Sequence, residues 1–361
     1  MHGYYWRVTD QVWALQRPTQ SNGIYEDFIT PVFVDPLKNH LFARSSVALI
    51  GLPRDQSTDA HPSGYPWWQM AGRYYLKQQY PENPDIWHSL SAPLPGPNHG
   101  PNKWHYDEDI RSRPLFANFV GVDALFNMHT NAGLPSASGT RAYVAENRPY
   151  DLALANNVLC RMMELIHAQG TYENFKVEDQ ARVDPGYGEN NRAEMPAMVL
   201  EVAFHTNASD AAALQDPVFV DAAMKGVEKG FRLQAEGKTC EPFEITGIPD
   251  VTIPRPGAIT VPVNFQGFPF FPVTLTVEIV TCPVGTCNGG TVVYSEQQDS
   301  PFQFQFSCTG STGTTDIYHW RSYLTDADGV KTNVVAHDLI CTPTVGITAM
   351  GMPSAGVGPA H

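Results

Sequence analysis

The sequence predicts an α/β fold, an open and mostly parallel twisted sheet flanked by helices, followed by a small all-β sandwich domain. Three observations carry this expectation. Val47–Ile50, Val122–Met128 and Ala197–Phe204 are short, near-continuous apolar runs, the pattern of strands covered on both faces. Two stretches have helical spacing instead. Leu154, Val158, Met162, Leu165 and Ile166 fall on one face of residues 151–168, and Val220, Met224, Val227 and Phe231 recur after Asp216-Pro217. Asp216 is an expected N-cap and Pro217 suits the first turn. The third observation is a change of pattern in the last third, where β-forming runs at 259–264, 273–280, 291–294, 302–306, 316–324 and 333–340 are separated by Gly- and Pro-rich turns, the mark of a small sandwich.

The expected organisation is a first domain over residues 1–238 and a Pro-rich linker over 239–258. A β-sandwich over 259–348 and a loose Gly/Pro-rich tail over 349–361 follow. Residues 54–113, rich in Pro, Trp, Tyr and His, are expected as long surface excursions, either framing a site or simply inserted.

Composition narrows the function. The net charge of -14 argues against nucleic-acid binding, which needs clustered Lys and Arg. No apolar run reaches membrane-spanning length, and no signal peptide is read at the start, where Met1 runs directly into His2-Gly3-Tyr4. Four of the six cysteines, Cys282, Cys287, Cys308 and Cys341, crowd into the β-rich region. That points to disulfides and an oxidising compartment, with the pairing open.

Two polar residues stand out against apolar surroundings. Glu201 interrupts the run Ala197–Phe204; a buried carboxylate must be paired, hydrogen-bonded, metal-bound or protonated. His129 follows Ala124-Leu125-Phe126-Asn127-Met128, at the carboxyl end of a strand, where open α/β sheets build their sites. It is either a ligand or a satisfied turn residue.

The segment Arg113-Pro114-Leu115-Phe116-Ala117-Asn118, continued by the strand ending His129-Thr130-Asn131-Ala132, resembles the core motif of the zinc N-acetylmuramoyl-L-alanine amidases of the amidase_3 type. Pro196-Ala197-Met198-Val199-Leu200-Glu201, through Phe204 to Asn207, is similar to the same family's late motif, with Val199 in place of its Leu. Leu52-Pro53-Arg54-Asp55 with Asp59 is similar to its Thr-Arg-x-x-Asp element. His2-Gly3 resembles the tail of its Gly-His-Gly motif, and Glu26 its second ligand.

The resemblance covers residues 1–235. It implies that His2, Glu26 and His129 bind Zn2+, a His, Glu, His set that leaves a fourth position for water. It also implies that Glu201 is the catalytic carboxylate and that peptidoglycan is the substrate, cut between N-acetylmuramic acid and L-alanine. The expected location is then extracellular, periplasmic or in the cell wall. One departure is plain: the family's first strand precedes its first His, and Met1 stands here in place of the preceding Gly. Either the reading frame starts late or the domain lacks a central strand. His205-Thr206-Asn207-Ala208 echoes the His129 motif and is read as a chance similarity of strand-to-turn sequences.

Two alternatives stay open. A zinc carboxypeptidase-like peptidase would need an Arg for its substrate carboxylate, for which Arg141 and Arg192 are available. A non-catalytic wall-binding protein would rest on an immunoglobulin-like or fibronectin-like sandwich. The sequence is silent on oligomeric state.

Overall fold

The structure, a computed structural model, describes residues 2–310 and 313–343. Two units emerge, Met1–Cys240 and Glu241–His361. The first opens with a hairpin, β1 (Tyr4–Arg7) and β2 (Val12–Leu15), followed by four helices: α1 (Glu26–Ile29), α2 (Val34–Arg44), α3 (Gly72–Gln79) and α4 (Trp104–Val120). β3 (Leu125–Asn131), β4 (Arg141–Val144), α5 (Pro149–His167), β5 (Arg182–Val183), α6 (Gly188–Asn191), β6 (Ala197–Phe204), α7 (Ala208–Gln215) and α8 (Pro217–Ala235) complete it.

The main sheet has the order β3-β6-β4-β5. β3 runs parallel to β6 and β4 parallel to β5, while β4 meets β6 antiparallel. All eight residues of β6 are buried, as expected for a strand covered on both faces.

α5 and α8 lie against each other in the core. Their contact requires glycine: a Cβ on Gly226 would sit 2.5 Å from the Met162 Cα, and one on Gly230 2.6 Å from the Val158 Cα. Leu154, Val158, Met162, Val220, Met224 and Val227 fill the core between these helices and the sheet. Asp216 caps α8, its carboxylate accepting the Val218 N–H at 2.9 Å. Cys160 in α5 is bonded to Cys240, which ties down the chain after α8.

Three expectations need correction. Val47–Ile50 is not a strand; it pairs with no strand of the sheet, and Leu49 is 62% exposed. β-branched and apolar residues become a strand only where a neighbour supplies the ladder. Residues 54–113 are not only loops, since they hold α3 and the first turns of α4. Residues 239–258 are not a linker, because they form β7 (Glu244–Gly247) and β8 (Val251–Pro254). Pro254 ends β8, the edge strand of its sheet, where a missing N–H is tolerated.

The second unit continues with β9 (Gly257–Gln266), β10 (Val273–Thr281), β11 (Gly290–Tyr294), β12 (Phe302–Cys308), β13 (Asp316–Thr325) and β14 (Val335–Thr342). They form sheets of order β11-β10-β13-β14-β8 and β12-β9-β7. Burial alternates residue by residue along β12, and its inward rings meet the other sheet: Phe306 lies 5.2 Å from Trp320 and Phe304 6.2 Å from His337. The Cys308–Cys341 bond links β12 to β14 across the two sheets, and Cys282–Cys287 closes a short loop after β10. The expected tail at 349–361 lies outside the described residues.

Candidate metal centre

The parallel register of the sheet sets His129 directly beside Glu201, so both side chains leave the same face. Neither could be reached by the chain start without the loops that follow it. His2 precedes β1, and Glu26 is the first residue of α1. All four side chains are buried, at 1% exposure for His2, 6% for Glu26, 5% for His129 and 8% for Glu201. His2, Glu26 and His129 each offer a ligand atom within 4.8 Å of the others. The His2 Nε2 lies 3.6 Å from the Glu26 Oε1, and the His129 Nδ1 lies 3.1 Å from the same oxygen. The two imidazole rings meet edge to face, 4.8 Å apart.

These residues fit a metal ion. The His2 Nε2 is buried without a hydrogen-bond partner, an expensive state for a polar nitrogen. It faces a carboxylate and a second imidazole, the donor types that zinc takes in catalytic sites. The Glu201 Oε2 is likewise buried without a partner. Burial, reinforced by the Glu26 and Glu189 carboxylates and opposed by His129, raises the Glu201 carboxyl to about 7.

Charges around the ligands are unequal. Burial raises the Glu26 carboxyl, but the His129 bond and the Arg17 charge more than reverse this and lower it. Burial and the nearby Arg17 and Arg113 charges hold His2 well below its ordinary value. In His129, burial is outweighed by Glu189 and Glu26, which raise it.

Several residues secure this geometry. The Arg54 guanidinium, flagged in the sequence, donates to the backbone carbonyls of Asp27 at 2.8 Å, Trp68 at 2.8 Å and His2. It thus straps together the two loops that carry His2 and Glu26. Arg113 pairs with Asp109 at 2.8 Å and with Glu189. Asn118 accepts from the Glu194 N–H and donates to the Arg192 carbonyl, pinning α4 to the approach to β6.

Glu189 was missed in the sequence. It sits in the one-turn helix α6, is buried, and places its Oε1 3.0 Å from the His129 Nε2. His129 and Arg113 hold its carboxyl far below the usual range despite its burial. It lies in Gly188-Glu189-Asn190, where no apolar run announces a buried carboxylate. Gln16, which touches His2, was also missed: it follows the apolar run Val12–Leu15 and carries no motif of its own.

His205 hydrogen-bonds through its Nδ1 to the Thr130 hydroxyl at 3.0 Å and does not join the His, Glu, His group among the described residues. Arg141 pairs with Glu178 at 2.9 Å. That leaves the peptidase alternative without a free Arg141 to hold a substrate carboxylate.

Residues 99–232 match the family model described as N-acetylmuramoyl-L-alanine amidase. The match takes in His129, Glu189 and Glu201, whereas His2, Glu26 and Arg54 precede it. Among solved structures, the N-acetylmuramoyl-L-alanine amidase from Clostridium difficile 630 is 16% identical, covers 62% of this chain and 91% of its own, and superposes with a TM-score of 0.40. The CwlD amidase from Clostridioides difficile, solved with the GerS lipoprotein, is 11% identical over 61% of this chain and 92% of its own, with a TM-score of 0.43. The catalytic domain of the CD27L endolysin targeting Clostridia difficile is 14% identical over 66% and 95%, with a TM-score of 0.38. No curated protein matches the chain.

Proposed function

We propose that this chain, whose residues 99–232 belong to the N-acetylmuramoyl-L-alanine amidase family, is a zinc-dependent peptidoglycan amidase. It cleaves the amide between the lactyl group of N-acetylmuramic acid and L-alanine. The observation that supports this reading is the buried His2, Glu26 and His129 group, with its unpartnered His2 Nε2, set beside Glu201.

A bound zinc ion would supply Lewis acidity, acidifying water and polarising a carbonyl. His2, Glu26 and His129 would hold it. Glu201, buried on the strand beside His129 with its Oε2 unpartnered, is placed to take a proton and return it. It would accept one proton from the attacking water and give it to the amine of L-alanine as the C–N bond breaks. The hydroxyl stays on the lactyl carbonyl. Glu189 and Arg113 would orient His129 from the side away from Glu26. Three disulfides favour an oxidising, extracytoplasmic setting, and no described helix is long and apolar enough to cross a membrane. The second unit serves as an immunoglobulin-like accessory module.

Incubation of purified sacculi with the purified chain tests the reading, with mass spectrometry of the released material. Free stem peptides beginning at L-alanine, lost on chelation and lost about 1000-fold in Glu201→Gln, a typical general acid–base effect, are the expected result. Full release by Glu201→Gln would remove Glu201 from its role. Peptides cut instead at a free C-terminus would favour a peptidase.

A further inference from the structure

The hairpin of β1 and β2 is inserted between His2 and Glu26, and it ends on a residue that the mechanism does not use. Gln16 follows β2, and its N–H closes onto the Gly3 carbonyl at 3.2 Å. This register brings the Gln16 side chain, buried at 4% exposure, against the His2 ring. The Gln16 Oε1 lies 2.9 Å from the His2 Nδ1.

Which end of the amide faces His2 is decided by its other contacts. The Gln16 Oε1 also accepts the Gly3 N–H at 3.3 Å, and its Nε2 donates to the Asp109 Oδ2 at 3.1 Å. A flipped amide would set donor against donor at Gly3 and acceptor against acceptor at Asp109. The oxygen therefore faces His2, and an oxygen can only accept. Among the described residues the Arg113 Nη2 also approaches the Nδ1, farther off at 3.3 Å and bonded to Asp109 at 2.8 Å. An Arg can only donate, so the two contacts ask opposite states of the Nδ1, and the shorter one, to Gln16 at 2.9 Å against 3.3 Å, assigns the Nδ1 as the donor.

Resting on the zinc reading above, we infer that Gln16 is a positioning residue for His2. It accepts the Nδ1–H and so leaves the Nε2 lone pair facing Glu26 and His129. That Nε2 is buried without a partner, with the Glu26 carboxylate 3.6 Å away. Partners on the far nitrogen of a ligating His orient the ring and raise its basicity, and their loss typically costs 10- to 100-fold in metal affinity. Asp109 completes the relay, since the same carboxylate fixes Gln16 and Arg113, which in turn holds Glu189.

The test combines zinc affinity with the imidazole proton itself. Zinc binding is measured by competition with a chromophoric chelator for the wild type and Gln16→Leu. The 15N shifts of His2 are read in the metal-free chain, and near-UV circular dichroism reports folding. The expected results are a His2 proton on Nδ1 in the wild type and about 10- to 100-fold weaker zinc binding in Gln16→Leu. In Gln16→Leu, with the acceptor gone, the His2 15N shifts should move away from the pure Nδ1–H pattern of the wild type. A wild-type proton on Nε2, undiminished zinc affinity in Gln16→Leu, or a His2 tautomer unchanged by Gln16→Leu would overturn the assignment. A wild-type chain that binds no zinc yet holds the proton on Nδ1 would refute the metal reading and leave the Gln16 contact standing.

Discussion

His129 and Glu201 reach the site in one way, and His2 and Glu26 in another. The first pair stands on adjacent parallel strands, where the backbone ladder and a core closed on both faces fix their spacing. The second pair is delivered by the chain start and by a one-turn helix, α1, separated by a hairpin. Neither element could hold its residue by itself, since so short a helix has too few internal bonds to be stable. Side-chain bonds do the work that the ladder does elsewhere. Arg54 ties the carbonyls of His2 and Asp27, and Gln16 holds the His2 ring. The comparison teaches that half of this centre is built into the fold and half is hydrogen-bonded into place.

The comparison can be broken most sharply at Arg54. In Arg54→Met, the buried carbonyls of His2 and Asp27 lose their donor, at a cost of about 1–3 kcal/mol for each group left unsatisfied, and the part-buried Trp68 carbonyl loses its partner too. Zinc affinity should fall by at least about 10-fold, as for loss of other groups that hold ligands. A sheet substitution of similar severity, Val199→Ala, should lower stability by about 1–3 kcal/mol while zinc affinity stays at the wild-type level. Denaturant titration and chelator competition on both variants check this; equal zinc loss in the two would show that the halves are held alike.

A smaller effect sharpens the sheet-borne half. Burial lifts the Glu201 carboxyl from 4.5 to about 7. In the metal-free chain the folded state therefore keeps this proton at pH values where the unfolded state has released it. The stability it contributes is fully present below the unfolded value and is lost as pH rises through about 7. A raise of this size corresponds to about 3 kcal/mol across pH 4.5 to 8. Glu201→Gln should remove that slope, so its stability should decline less than that of the wild type across this range. Parallel slopes in chelated samples would show that Glu201 is already ionised in the folded chain.

Much of the first unit was legible because its chemistry interrupts a pattern. Glu201 announces itself by interrupting the apolar run Ala197–Phe204, and His129 by following the largely apolar run Ala124–Met128. α5 and α8 were legible from spacing and from the Asp216 cap. What was not legible depends on partners distant in sequence. Val47–Ile50 has the residues of a strand, but no strand of the sheet pairs with it. The prolines of 239–258 suggested a linker, yet Pro254 ends β8 where its missing N–H does no harm. Glu189 lies in a polar stretch and Gln16 just past the short apolar run Val12–Leu15, and only the folded chain brings them to His129 and His2. His2 and Glu26 were reached through resemblance to a family whose matched segment begins only at residue 99, so the geometry is their independent support.

The most direct measurement is therefore the zinc content of the purified wild-type chain, of His2→Ala and of His129→Ala, after dialysis against trace zinc. One zinc per wild-type chain, lost from both variants alike, is the predicted result. Zinc retained in full by His2→Ala would contradict the account, because the half of the centre that lies outside the family match would then not belong to it.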